Sequence, residues 1–258
     1  MSGASSGVSV PAQAPAVPGA VNLRDVGGLR AGSAVTRHGV LYRSGNLARL
    51  DEAGVSAFGA LGIRRVIDLR ADDEVSQAPS PLGSLDLQVQ RAPLFLGSVE
   101  SFFARDVSLA ELYRLLVDDS ASRVVDVVRG IVVDQPVLVH CTVGKDRTGV
   151  TVAVALAAAG VDTEEVVADY ARTEAHLPQW RNAAVVAHLR RLHPGAQHLE
   201  DLATRSPAPV MRDLLEDIAR RYGSAADYLR ANGLTDDELR ELSRVLVAGG
   251  GEHPRFSG

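Results

Sequence analysis

Apolar residues follow two different spacings along this chain, and each spacing predicts a different kind of element. Compact runs of Val, Ile and Leu predict buried strands over residues 39–44, 64–70 and 135–140. Alternating apolar and polar positions predict one further strand over residues 85–93. Apolar residues three and four positions apart predict helices over residues 44–62 (after an initial turn), 108–119 and 122–134. The first half of the chain therefore alternates between strands and helices.

The second half of the chain shows only the helical spacing. Candidate helices cover residues 146–159, 163–173, 178–192, 210–222, 225–231 and 235–247. Thr163 and Thr235 precede acidic residues and can cap helix N-termini. Glycines at the expected helix C-termini are Gly160, Gly223 and Gly233. Residues 193–209 have the weakest pattern, so we expect a connecting segment there.

This order of elements predicts an α/β fold. Strands alternating with helices favour a central, largely parallel sheet flanked by helices, with the helical second half covering it. The chain has 258 residues, of which 46% are hydrophobic and 4% aromatic, so we expect one domain with a core of Val, Leu and Ala. This domain should span residues 21–248, between a disordered leader (1–20) and a flexible tail (249–258).

Charge and cysteine content exclude several classes of function. The net charge is −5 and the basic residues form no stripe, so we expect no nucleic-acid partner. The single cysteine rules out an intramolecular disulfide and any zinc site built from cysteines. We expect neither a cofactor nor a bound metal.

The chain carries no pattern typical of a membrane span. The longest apolar stretch, residues 150–161, is too short to cross a bilayer and predicts a buried helix instead. The N-terminus lacks the basic and apolar regions of a signal peptide. With a single thiol, these features favour a cytoplasmic location, and export by a non-classical route stays open.

Residues 136–150, PVLVHCTVGKDRTGV, place the only cysteine between a predicted strand and a predicted helix. A turn there gathers backbone N–H groups, and the helix N-terminus adds unpaired donors and a positive dipole end. Gly144 gives the freedom that a tight loop needs, and Arg147 can hold two phosphate oxygens. These groups favour the thiolate of Cys141 over the thiol. A thiolate below a bound phosphate is placed for in-line attack on phosphorus.

The string HCTVGKDRTG resembles the His-Cys-x5-Arg-Ser/Thr signature of cysteine-dependent protein tyrosine phosphatases, and GKDRTG looks like the atypical bacterial tyrosine and lipid phosphatases. Weaker supporting resemblances are NLRDVGG, LYRSGNLARL, VIDLRADDEV, ADYARTEAHL and YGSAADYLRANGL. The resemblance extends from about residue 21 to about residue 248. Chance would produce the loop pattern in a chain of this length at roughly one in 10⁵ or less. The alternative is a buried structural cysteine at a strand end.

The resemblance implies a role for each residue of the loop. Cys141 would be the nucleophile that forms a phosphocysteine intermediate, and Arg147 would bind the phosphoryl oxygens and stabilise the transition state. Thr148 would donate its hydroxyl to the cysteine sulfur, and His140 would orient the loop. The residues expected to bind phosphate mainly by backbone amides are Thr142, Val143, Gly144, Lys145 and Asp146.

The general acid has two candidate positions. Many tyrosine phosphatases carry this Asp on a separate loop 30 to 40 residues upstream of the cysteine, which here corresponds to residues 101–111 with Asp106 and Glu111. In the subgroup with a GKDR loop, the Asp before the Arg is thought to take the role, and that residue is Asp146. Asp146 could also simply favour the helix N-terminus by its charge.

One further lysine and one further pair of charged residues have open roles. Lys145 resembles the loop lysine with which lipid phosphatases contact additional phosphates of an inositol ring, or it could face solvent and strengthen the positive field. Asp68 and Arg70 follow a buried strand, where functional loops gather in parallel sheets, and a structural ion pair is the favoured interpretation.

The helix over residues 178–192 has a basic side that contains Arg181, Arg190 and Arg191. Helical lids over the active site occur in the resembled family, so a lid is one interpretation of this helix and a packed surface helix is the other.

The leading functional hypothesis is a phosphatase acting on phosphotyrosine, with breadth to phosphoserine, phosphothreonine and phosphoinositides. Its partners would be phosphorylated proteins or phosphoinositides, and the oligomeric state is left open. Alternatives are a phosphatase that prefers phosphoinositides, a non-catalytic phosphate-binding module, and a sulfurtransferase. The presence of Cys141, Arg147 and Thr148 disfavours the binding module, and the five residues between Cys and Arg disfavour a sulfurtransferase.

Overall fold

A computed structural model describes residues 17–94 and 105–248 of the chain. The strands within these ranges are β1 (Arg24–Asp25), β2 (Arg30–Ala31), β3 (Ala34–Val35), β4 (Leu41–Ser44), β5 (Arg65–Asp68), β6 (Gln88–Arg91) and β7 (Val137–His140). The helices are α1 (Glu52–Gly59), α2 (Asp72–Gln77), α3 (Leu109–Asp119), α4 (Ala121–Val133), α5 (Asp146–Ala158), α6 (Thr163–His176), α7 (Gln179–Leu192), α8 (Leu199–Thr204), α9 (Ala208–Tyr222), α10 (Ala225–Ala231) and α11 (Asp236–Leu246).

Five strands form one sheet in the order β1-β4-β7-β5-β6. The pairs β4–β7, β7–β5 and β5–β6 are parallel, and β1 is antiparallel at the edge. In the register of β7, His140 lies opposite Ser44 of β4 and Asp68 of β5. The carboxyl ends of the three central strands therefore meet at one edge of the sheet, directly before Cys141. The predicted α/β fold with a largely parallel sheet is confirmed.

Helices cover both faces of the sheet, which explains why the central strands are apolar throughout. Ile67, Val137 and Val139 point into the larger core, which the C-terminal helices complete. Val66 and Leu138 alternate with them and point into a smaller core that includes Phe58 of α1. Helix α5 runs through the larger core, and its residues from 147 to 156 are all buried. The expectation of a buried helix in this stretch is confirmed.

The structure also contains elements that the apolar spacing did not predict. The strands β2 and β3 form a separate two-stranded sheet, and α2 follows β5 directly. Helix α8 lies inside residues 193–209, where we expected only a connection. Val17 is buried in the smaller core although it falls in the expected leader. Residues 1–16 of that leader and the expected tail, 249–258, lie outside the described residues.

The described helices include none that is long and apolar enough to cross a membrane.

A buried ion cluster links the edge of the sheet to α6. Asp169 of α6 accepts hydrogen bonds from Arg24 Nε at 2.8 Å and from an Arg43 terminal nitrogen at 2.6 Å. All three side chains are at most 8% exposed. Burial disfavours the charged form of Asp169, but Arg43 and Arg24 outweigh burial and lower its pKa from 3.8 to about 2. The cluster therefore depends on an ionised carboxylate.

We expect Asp169→Asn to lower the free energy of unfolding by about 3–5 kcal/mol, because Arg24 and Arg43 would stay buried without a carboxylate. Glu165→Gln is the matched control on the same helix. It removes the partner of Arg30, whose side chain is 66% exposed, and should cost less than about 1 kcal/mol. Urea unfolding of the two variants measures the difference, and equal losses would contradict the importance of the cluster.

The same carboxylate should make stability depend on pH. Because the pKa of Asp169 is lower in the folded protein, its contribution is fully present above about pH 4 and is lost as pH falls towards 2. The gap in unfolding free energy between the wild type and Asp169→Asn should therefore narrow over that window.

Candidate active site

Residues between the end of β7 and the start of α5 form a tight loop around the sulfur of Cys141. The backbone N–H of Gly144 donates to Cys141 Sγ at 3.2 Å. Cys141 is 2% exposed, so the sulfur lies at the base of the loop and not on the surface. Helix α5 begins at Asp146, so the N-terminus of the helix lies at the end of this loop. The structure thus brings together a thiol, the Gly144 N–H group and a helix N-terminus.

Gly144 is the residue whose backbone the loop most depends on. Its φ is +75°, which L side chains rarely adopt. A Cβ at this position would lie 2.4 Å from the carbonyl oxygen of Ser44. The Gly144 carbonyl accepts hydrogen bonds from Asn22 Nδ2 at 2.9 Å and from Arg43 at 3.1 Å. Arg43 therefore connects the ion cluster around Asp169 to the curvature of the loop.

His140 supports the loop from behind. Its Nδ1 lies 3.4 Å from the carbonyl oxygen of Cys141, and its Nε2 lies 3.7 Å from Asp68. Burial lowers the pKa of His140 from 6.5 to about 4, although Asp68 acts in the opposite direction. The ring is therefore neutral near pH 7, which suits an orienting role and not a charged one.

Asp68 belongs to a structural ion network. Arg70 Nε donates to Asp68 Oδ1 at 2.9 Å, and another nitrogen of Arg70 donates to Oδ2 at 2.8 Å. Arg91 contacts the same carboxylate at 2.9 Å. Burial raises the pKa of Asp68, but the hydrogen bonds and the charge of Arg70 act in the opposite direction, and the net effect lowers its pKa. These contacts favour the structural interpretation of Asp68 and Arg70.

Arg147 is paired with a residue that the sequence did not single out. Its two terminal nitrogens donate end-on to the carboxylate of Glu74 at 2.5 and 2.7 Å, and Thr142 donates to the same carboxylate. Burial opposes ionisation of Glu74, but Arg147 and Thr142 outweigh it and lower the pKa of Glu74 to about 2. Glu74 is thus ionised at any working pH. The sequence contained one signal that could have identified Glu74, which is its position in VIDLRADDEV, just after a buried strand.

The end-on geometry leaves one side of the guanidinium open. Arg147 Nε makes no hydrogen bond to any of the described residues, whereas both terminal nitrogens contact Glu74. Burial disfavours the charge on Arg147, but Glu74 and then Cys141 raise its pKa above its already high ordinary value. The terminal nitrogens also make two long contacts, to the Leu69 carbonyl at 3.4 Å and the Thr142 hydroxyl at 3.5 Å. A phosphate could therefore bind through Nε and through a terminal nitrogen that gives up its long contact.

Asp146 is held through one of its two carboxylate oxygens. Oδ1 accepts hydrogen bonds from Lys145 Nζ at 2.6 Å and from the Tyr113 hydroxyl at 2.9 Å. The Tyr113 and Tyr170 hydroxyls are 2.6 Å apart. Burial, and then the charges of Asp146 and Tyr170, raise the pKa of Tyr113, so its hydroxyl stays a donor. From sequence, Tyr113 falls only within the predicted helix over residues 108–119, because nothing local indicates its contact with the loop.

Lys145 points into the protein. Its side chain is fully buried, and Nζ contacts Asp146 and, at 3.4 Å, the carbonyl oxygen of Asp201. Neither of the two roles considered for Lys145, direct contact with a second phosphate or exposure to solvent, matches this placement in the free protein.

Thr148 is buried on the first turn of α5. Its hydroxyl oxygen makes no hydrogen bond within the described part of the chain. This hydroxyl therefore has free donor capacity, as a role on the cysteine sulfur requires.

The two upstream candidates for the general acid are engaged elsewhere. Asp106 accepts hydrogen bonds from the backbone N–H groups of Gln197 and His198. Glu111 caps the N-terminus of α3 through Ser108. Residues 101–104 of the same window lie outside the described residues. Of the acids that the sequence singled out as proton donors, only Asp146 is placed in the loop.

Within residues 17–94 and 105–248, no three His, Cys, Asp or Glu side chains converge to hold a metal ion.

Comparison with known proteins places this geometry in context. The profile of the tyrosine phosphatase family matches residues 15–248. The triple specificity protein phosphatase PtpB of Mycobacterium tuberculosis is 29% identical, with 90% of this chain and 98% of that protein aligned. A tyrosine-protein phosphatase of Nostoc commune is 31% identical over 81% of this chain and 74% of its own length. The crystal structure of TpbA from P. aeruginosa is 23% identical over 91% of this chain and 98% of that one, with a TM-score of 0.35, an overlap too low to support an argument.

We expect Glu74→Ala to lower kcat/KM for an aryl phosphate by about ten- to a hundredfold, because Arg147 would lose the contact that aims its guanidinium. Asp73→Ala is the matched control, since Asp73 is the exposed neighbour on the same helix. Steady-state kinetics, with urea unfolding to confirm that both variants fold, provides the measurement. A Glu74→Ala enzyme as active as Asp73→Ala would show that Glu74 does not position Arg147.

Proposed function

Because this chain belongs to the tyrosine phosphatase family, we propose that it hydrolyses phosphotyrosine through a phosphocysteine intermediate on Cys141. The observation that carries this proposal is the convergence of three groups on one loop. The sulfur of Cys141 receives the Gly144 N–H, and Arg147 presents an open side of its guanidinium within the same turn. The PtpB relative is described as a triple specificity protein phosphatase, which supports the same reaction class.

The first step breaks the bond between phosphorus and the tyrosine oxygen. The thiolate of Cys141 attacks phosphorus in line, the loop N–H groups and Arg147 hold the other three phosphoryl oxygens, and the leaving oxygen takes a proton from Asp146. In the second step Asp146 accepts a proton from water, which attacks phosphorus and releases the sulfur. The free hydroxyl of Thr148 donates to that sulfur as it leaves, so free phosphate and the starting thiolate result.

Asp146 is the acid that the geometry supports best. Lys145 and Tyr113 both donate to Oδ1, so Oδ2 is the oxygen left to carry the transferred proton. The carboxyl is 21% exposed, enough to reach a substrate at the mouth of the loop.

Protein substrates fit the site better than a preference for phosphoinositides. The inositol interpretation depends on Lys145, whose ammonium is buried on Asp146 in the free protein. Contact between Lys145 and a second phosphate would require this ion pair to break. We therefore propose phosphotyrosine proteins as the main substrates, phosphoserine and phosphothreonine as slower ones, and phosphoinositides as a secondary activity. The catalytic unit would be a single domain of residues 21–248.

We expect purified protein to hydrolyse p-nitrophenyl phosphate and phosphotyrosine peptides without added metal, and Cys141→Ser to reduce kcat by at least about 10³-fold. A hydroxyl in place of the thiolate is a far weaker nucleophile at neutral pH, whereas the phosphate cradle stays intact. Phosphate binding, measured by competition calorimetry, should therefore persist in Cys141→Ser. Turnover that survives in this variant would exclude Cys141 as the nucleophile.

We expect Asp146→Asn to slow hydrolysis in proportion to how much the leaving group needs a proton. The loss should be about 10²- to 10⁴-fold for phenyl phosphate and much smaller for an aryl phosphate with a strongly acidic phenol. A series of substituted phenyl phosphates measures the slope of rate against phenol acidity. Equal losses across the series would argue against Asp146 as the general acid.

A further inference from the structure

Two arginines lie beside the mouth of the catalytic loop. Arg49 lies on the segment that follows β4, and this segment runs against the loop, because Asn46 N–H donates to the Thr142 carbonyl at 3.0 Å. The Arg49 guanidinium lies over the ring of Trp180 at 5.8 Å from its centroid. Trp180 belongs to the first turn of α7, so α7 begins directly above this segment.

Arg181 follows Trp180 and turns inward. Burial lowers the pKa of Arg181, the charge of Arg49 lowers it further, and the carboxylate of Asp146 acts in the opposite direction. Trp180 links the two arginines, because the Arg49 guanidinium lies over its ring and Arg181 follows it on the first turn of α7; Arg49 and Arg181 are here called the rim arginines.

The rim arginines have no carboxylate partner among residues 17–94 and 105–248. Arg49 contacts only the Trp180 ring, and Arg181 donates to the neutral Asn182 side chain at 3.1 Å. Arg190, at the other end of α7, instead pairs with Glu200. Two neighbouring positive charges, one of them half-buried, repel each other, and the nearest carboxylate named for Arg181, that of Asp146, is already paired with Lys145. An anion bound between them would relieve this repulsion.

We propose that the rim arginines form a specificity subsite that binds an acidic group of the substrate, a carboxylate or a second phosphate, on a residue next to the phosphotyrosine. This assignment depends on the proposed function, since the phosphotyrosine itself would occupy the loop at Cys141. A peptide suits the surface because Trp180 is 65% exposed beside Arg49 and offers an apolar contact to the peptide chain. The subsite acts on selection of substrate and not on the chemical step.

The test compares two phosphotyrosine peptides that differ only in flanking residues, Glu in one and Gln in the other. Wild-type protein should favour the Glu peptide about tenfold in kcat/KM, as one charge-assisted contact implies. Arg49→Ala combined with Arg181→Ala should abolish this preference, and rising salt should weaken it in the wild type. Arg181→Lys keeps the charge and should retain most of the preference for the Glu peptide. Arg191→Ala, an exposed position on the same helix, is the matched control and should leave the preference unchanged.

The two peptides separate this assignment from the proposed function. Hydrolysis of the Gln peptide reports only on the chemistry at Cys141, and its absence in the wild type would refute the proposed function. A wild type that hydrolyses both peptides equally, or a double variant that keeps the full preference, would refute the subsite. The last part of the test measures hydrolysis of a panel of singly and multiply phosphorylated phosphoinositides. If the double variant loses discrimination among these lipids and not among the peptides, the peptide assignment is wrong.

Discussion

The carbonyl group of Gly144 is the point at which the fold fixes the catalytic loop. Two donors hold it, Asn22 from the N-terminal segment and Arg43 from β4, and Arg43 is in turn held by Asp169 of α6. The loop forms its turn from backbone groups and one glycine, Gly144. Its curvature therefore depends on an ion cluster assembled from three distant parts of the chain. The cluster is buried, so each charge in it is costly unless the others are present.

Charges inside the site are matched in pairs before any substrate binds. Glu74 is in contact with Arg147, and Asp146 is in contact with Lys145. Phosphate binding in such a site relies on backbone N–H groups and on the open side of the Arg147 guanidinium more than on net positive charge. Glu74 takes the end of the guanidinium and thereby fixes its plane. A phosphate can then bind along the side without displacing Glu74, and the arginine enters the reaction already oriented.

Much of this arrangement could be predicted from the sequence. The part that could not be predicted consists of contacts between elements that are distant along the chain. Cys141, Gly144 and Arg147 follow from local spacing, because a strand, a tight turn and a helix N-terminus determine where they point. Contacts between distant elements left no local pattern. Tyr113 reaches Asp146 across 33 positions, and Arg43 reaches Asp169 across 126.

Lys145 illustrates the same limit inside the motif itself. Its position in the loop was correctly identified, but the direction of its side chain depends on Asp146 and on α8. Helix α8 lies in the stretch with the weakest apolar pattern. Only the tertiary structure could show that this ammonium is buried.

In the proposed mechanism, the position of Asp146 has a consequence for how the proton reaches the leaving group. An acid on a separate loop has to move over the substrate before it can donate a proton. Asp146 instead lies five residues from Cys141 in one continuous loop and helix, and Tyr113 of α3 and Tyr170 of α6 brace it from the core. The proposed nucleophile and the proposed acid therefore lie in one braced segment, so we expect no loop closure to be needed to bring them together. The proposed subsite at Arg49 and Arg181 would then contribute to substrate selection, since neither guanidinium pairs with a carboxylate among the described residues.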